Sequence, residues 1–125
     1  MSSVLKAFNN HLLEFIEDVI RIFPNNLDIK TGKTFIEGVK RVNPKKIITY
    51  WRDNILALYE KEILEEDITF FVNKDYINDI GTESQTLKVL EDIRVLVRGT
   101  TKENKEKAMK YLQNLTKLCK LYFSD

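Results

Sequence analysis

From Leu5 to Ile22 the apolar residues Leu5, Phe8, Leu12, Phe15, Ile16, Val19 and Ile22 recur at steps of three and four. That spacing lines one face of a 3.6-residue helix. Glu14, Glu17, Asp18 and Arg21 fall largely off this face. Ser2 or Ser3 can cap the start. Pro24 stops the helix at about Phe23, because a residue preceding proline is pushed out of helical geometry. Asn25 and Asn26 are good caps for a second helix from about Leu27 to Val42, with Ile29, Phe35, Ile36, Val39 and Val42 as its stripe. Gly32 and Gly38 lower its helix propensity by about 1 kcal/mol each relative to alanine, a loss tolerated where another helix comes close. Asn43-Pro44 reads as a combined stop and restart, Asn43 capping and Pro44 taking the first helical position.

A third helix carries Ile47, Ile48, Trp51, Ile55, Leu58 and Tyr59. Between Glu60 and Gly81 the periodicity weakens. Acidic residues surround Ile63 and Leu64, then Ile68, Phe70, Phe71 and Val72 form an apolar knot expected to be a short helix or turn. Asn73 to Gly81 reads as a loop anchored by Tyr76, Ile77 and Ile80. Thr82 to Gln85 has capping-box spacing and opens a helix to Arg98, with Leu87, Leu90, Ile93, Leu96 and Val97 inward. Gly99 is a natural C-terminal cap. A second capping box from Thr100 to Glu103 leads into the last helix, whose inner side is Ala108, Tyr111, Leu112, Leu115, Leu118, Cys119 and Tyr122. The short link makes the last two helices an antiparallel hairpin. The expected fold is all-α: a single domain over 1–125, a bundle of five to six helices ending in that hairpin.

Composition agrees with this pattern. Hydrophobic residues are 43% and charged residues 31% of 125, a globular balance, and Gly (4) and Pro (2) are too scarce to interrupt long elements. Net charge is +1, which argues against a chain that clings to nucleic acid over its whole surface. The charge is uneven. Residues 1–59 carry nine Lys/Arg against six Asp/Glu, residues 60–92 three against ten, and residues 93–125 eight against three. An acidic middle between basic flanks reads first as internal complementarity and second as an acidic patch for a basic partner. No apolar stretch is long enough to cross a bilayer, and Lys6, Asn9, Asn10 and His11 break up any early signal-like run. With Cys119 the only cysteine, no intramolecular disulfide can form, which suits a reducing cytosol or a particle assembled there.

Motifs that suggest chemistry fail on their own requirements. Gly32-Lys33-Thr34 ends like a phosphate-binding loop, but Leu27 stands where an earlier glycine is needed and the segment reads as mid-helix. Asn73, Asp75, Asn78, Asp79 and Glu83 suggest a calcium loop, yet Ile77, Asn78 and Ser84 fall where an oxygen ligand, a glycine and a glutamate are required. His11, the only histidine, has no second imidazole for a metal site or triad and packs at the edge of its stripe. Cys119 on an inner face is an inert thiol. Adjacent carboxylates such as Glu65/Glu66 and Glu91/Asp92 diverge on a helix. The expectation is therefore no enzyme, no cofactor and no metal. Lys40, Arg41, Lys45, Lys46 and Arg52 around Tyr50 and Trp51 are the candidate nucleic-acid contacts, a mixture that can track phosphates and stack bases.

Two stretches, Leu5 to Trp51 with its Phe-Pro-Asn-Asn and Val-Asn-Pro-Lys breaks, and Asn104 to Tyr122, together resemble small uncharacterised proteins of the nucleocytoplasmic large DNA viruses of algae and amoebae. That resemblance carries no functional residues with it. It implies a virion component or a factor of the infected host cytoplasm. The expected role is non-catalytic: an assembly or interaction protein such as a minor capsid or core component, with protein partners, virion proteins among them, and no membrane. Phe70, Phe71, Tyr76, Leu121, Tyr122 and Phe123 are the candidate partner-binding residues. The alternative is a nucleic-acid accessory protein using the basic cluster near Trp51.

Overall fold

The Ser2 hydroxyl accepts the Leu5 N–H at 3.1 Å and starts α1 (Ser3–Ile22), so Ser2 rather than Ser3 is the cap. The computed structural model of the chain describes residues 2–65 and 85–124, with the backbone alone for residues 58 and 85–87. Asn26 Oδ1 accepts the Ile29 N–H at 3.0 Å and starts α2 (Leu27–Val42). Asn43 closes α2 through its N–H to Val39 O at 2.8 Å, and its side chain accepts the Lys45 N–H at 3.3 Å. Pro44 and Lys45 form a turn, and α3 (Lys46–Tyr50) begins two residues later than the proline suggested.

α3 runs without a break into a π-helical segment (Trp51–Leu56) and then α4 (Ala57–Leu64). The Ala57 N–H bonds the Arg52 carbonyl five residues back, and Asn54 Nδ2 donates to Tyr50 O at 3.2 Å within this wider turn. The helical run therefore extends past Tyr59 to Leu64, and Ile63 is fully buried, deeper into the acidic segment than its periodicity indicated. α5 (Gln85–Arg98) and α6 (Lys102–Phe123) follow. Among the described residues every regular element is helical. Gly99 is not left-handed: its N–H and that of Thr100 bond Leu96 O and Val97 O in tight three-residue steps. Thr101, not Thr100, caps α6 by accepting the Asn104 N–H at 3.2 Å, while Thr100 Oγ1 accepts the Asn104 side-chain amide.

α6 lies along α1 and closes the bundle. Val97 lines one groove with Asn104 and Ala108, whereas Leu90 and Ile93 line another gap with Leu112, so α5 and α6 are antiparallel. Trp51 sits at the centre, 1% exposed, edge-on to Phe8 at 5.8 Å, and its indole N–H donates to Thr116 Oγ1 at 3.2 Å. Fully burying a side chain of this class is worth about 1.5–3 kcal/mol. The stripes of α1 and α6, and that of α5 from Leu90 onward, are buried much as their periodicity requires, the Leu87 side chain lying outside the described residues. Two stripe members are not: Val42 is 86% exposed and Ile22 41%, at the ends of α2 and α1. Conversely, Asn9, Arg94 and Thr116 are buried polar residues. Asn9 Nδ2 donates to Pro44 O at 2.9 Å and ties the α2–α3 corner to α1. Arg94 grips Glu91 with two hydrogen bonds, at 2.9 and 2.7 Å.

Of the two glycines in α2, only Gly32 marks a close approach. A Cβ placed there would stand 3.2 Å from both Cγ atoms of Val89 on α5, whereas one at Gly38 would meet nothing within 4 Å. The Gly-Lys-Thr segment is mid-helix as expected, and Lys33 pairs with Glu17 of α1 at 3.5 Å.

Candidate functional site

Three surfaces gather the side chains that matter. At the C-terminal end of α6, Leu121 projects at 59% exposure beside the half-buried Tyr122 and Phe123, whose rings meet edge-to-face at 4.9 Å. Arg52, on the outer side of the π-helical segment, places its guanidinium carbon 4.3 Å from the Phe123 ring centroid and hydrogen-bonds Asp53 at 2.8 Å. That bond raises the Arg52 pKa above the usual guanidinium range. The sequence named Leu121, Tyr122 and Phe123 for one role and Arg52 for another, and the fold puts them at one corner. Phe70, Phe71 and Tyr76 lie outside the described residues, as do the apolar knot around them, the Thr82–Gln85 capping box and the calcium-like loop.

The remaining basic candidates lie at the α2–α3 corner. Arg41, Lys45 and Lys46 are exposed, and Lys40 reaches Asn10 Oδ1 at 2.8 Å. Trp51, as its place on the third-helix stripe requires, is sealed in the core against Phe8 and Thr116, and Tyr50, the other aromatic of the cluster, is half-buried. This corner keeps its cations but not the Trp51 ring.

The third surface was not visible in the sequence. A groove of about 120 Å³ opens where the last turn of α1 meets the α5–α6 corner. Phe15, Val19, Ile22, Phe23, Val97 and Ala108 supply its apolar lining, and Arg21 and Lys107 stand among its polar residues. Its wall is braced by Tyr111, whose ring stacks on Phe15 at 4.9 Å and whose hydroxyl donates to Asp18 Oδ2. The other Asp18 oxygen accepts from Arg21. Burial, then the Asp18 hydrogen bond, pushes the Tyr111 phenol up to about 12. These residues come from segments some eighty positions apart, and none is unusual for its own helix, so no local signal announces the groove.

His11 packs at the stripe edge as expected, its ring 4.9 Å from Tyr111 and Nδ1 3.5 Å from Glu14. Cys119 is wholly buried, directs its thiol to Ile48 O at 3.6 Å, and is pushed up to about 11 by burial. Of the acidic segment, Glu60 pairs with Lys120 of α6 at 2.6 Å, a contact of the complementary kind expected. Among the described residues no three His, Cys, Asp or Glu side chains are placed to hold a metal ion, and no helix is long and apolar enough to cross a membrane.

The chain is thus an all-α bundle. No protein-family model, no curated protein and no solved structure matches it.

Proposed function

We propose that this chain is a non-catalytic interaction protein that docks on a protein partner through the C-terminal corner of α6, in the setting its sequence resemblance implies, the assembly of a large DNA virus particle. The observation that carries the reading is the exposed Leu121 set beside Tyr122 and Phe123, with Arg52 over the Phe123 ring. Aromatic rings and an arginine grouped beside an exposed apolar side chain are the residue types that protein interfaces concentrate. The non-catalytic part is supported by how the reactive-looking groups are used. The Cys119 thiol is buried and raised to about 11, and the Gly-Lys-Thr amides belong to α2.

Mass spectrometry of purified particles from infected cells tests the reading, with Leu121→Asp expressed in place of the parent. The parent should be found in particles or in a defined complex. The variant should be depleted from either by about 30-fold or more, the loss of an anchor worth about 2 kcal/mol. A parent absent from particles and monomeric without a partner in infected cells would overturn it. The alternative, nucleic-acid binding by Lys40, Arg41, Lys45, Lys46 and Arg52, would do without the buried Trp51 ring. Filter retention of DNA or RNA at low salt, weakening steeply as salt rises, would favour it over protein docking.

A further inference from the structure

We propose that the groove between the end of α1 and the α5–α6 corner is a binding site for a small amphipathic carboxylate, one apolar ring bearing a single acid group. The size of the groove sets the body of the ligand. About 120 Å³ is available, close to the apolar cavity of about 150 Å³ that is enough to hold benzene. Phe15, Val19, Val97 and Ala108 give that body apolar walls. Those walls are already ordered, since Tyr111 is stacked on Phe15 and hydrogen-bonded to Asp18. A ligand entering a pre-formed wall loses little affinity to rearrangement.

The polar groups set the head. Among the described residues Asp18 is the one carboxylate of the groove, and each of its oxygens accepts a hydrogen bond, one from Arg21 and the other from the Tyr111 hydroxyl. Lys107 has no carboxylate partner among the described residues, and Arg21 retains guanidinium N–H groups beyond the one bonded to Asp18. The charged side chains of the groove are two cations against this one carboxylate, and Arg21 and Lys107 keep donors to offer, so the chemistry that completes the site is an anion attached to an apolar group. This site is separate from the α6 corner and does not depend on the partner proposed there.

Amide NMR spectra of the whole chain titrated with benzoate and, separately, with benzyl alcohol test the site. Benzoate should give saturable shifts centred on Val97, Asn104, Ala108 and Tyr111. Benzyl alcohol, with the same ring and no charge, should bind about two- to fivefold more weakly, the contribution of an exposed ion pair. Lys107→Gln, an exposed change that leaves the fold alone, should bring the two ligands closer in affinity. Ala108→Leu should remove both by filling the space, with a thermal melt to confirm folding. Absent or diffuse shifts with benzoate would overturn the site, and equal affinity for the two ligands would overturn its carboxylate class. An Asp-Phe-Asp peptide that outcompetes benzoate by tenfold or more would overturn the small-ligand reading in favour of protein docking.

Discussion

Replacing Gly32 with alanine puts a methyl group where α2 and α5 come together, and the same change at Gly38 puts one in open space. Each gains about 1 kcal/mol of intrinsic helix stability. At Gly38 nothing lies within 4 Å of the new carbon, so that gain should appear nearly whole, raising the melting temperature by about 3–6 °C for a domain of this size. At Gly32 the new carbon stands 3.2 Å from both Cγ1 and Cγ2 of Val89, which is 5% exposed. Valine in a helix has one strongly preferred rotamer, and no rotation takes both methyls away from the new carbon. The helices must separate instead, and overpacking of this kind costs about 1–3 kcal/mol. Gly32→Ala should therefore be destabilising by about 0–2 kcal/mol and lie below Gly38→Ala by about 1–3 kcal/mol. Equilibrium urea unfolding followed by circular dichroism at constant m-value measures both. Adding Val89→Ala should relieve the clash, giving a coupling of about 1 kcal/mol in a double-mutant cycle. If Gly32→Ala stabilises as much as Gly38→Ala, or the cycle shows no coupling, the close α2–α5 contact is wrong.

Thr116→Val removes the acceptor of the buried Trp51 indole N–H, so urea unfolding should show a loss of about 1–3 kcal/mol from the unsatisfied donor. The Cys119 thiol is buried and raised to about 11. It should react with a disulfide reagent at pH 8 only as fast as the chain opens, and fully in denaturant; rapid native labelling would place it at the surface. The Tyr111 phenol has an ordinary value of 10.0 and is held to about 12 in the fold. The unfolded chain therefore releases this proton first, and the contribution of Tyr111 to stability is intact below pH 10 and is lost as pH rises from 10 to 12. Ultraviolet titration of phenolate formation should show a late component that Tyr111→Phe abolishes.

Helix positions were legible because their signals are local. Ser2 and Asn26 accept amides three residues ahead whatever surrounds them, and Pro24 ends α1 by sterics alone. The cap of α6 was misplaced by one residue because Thr100 and Thr101 are equally good acceptors by type. Both bind Asn104, one through its side chain and the other through its backbone. The π-helical turn had no signal at all, since Trp51 to Leu56 fit an ordinary helical stripe equally well. The α6 corner was half legible: Leu121, Tyr122 and Phe123 were named as candidates, but the placement of Arg52 over Phe123 depends on two helices meeting 71 positions apart.

From the chain alone came the all-α class, the places where helices start and stop, and the side each helix turns inward, because hydrogen bonds to near neighbours and apolar spacing act within a few residues. Tertiary packing decided which of those inward positions found a cover. Ile22 and Val42 continue their stripes yet stay exposed, while Asn9 and Thr116 are drawn inside because partners from elsewhere in the fold wait there. The groove beside Tyr111 belongs to the same category, since its shape exists only where three helices leave a gap between them.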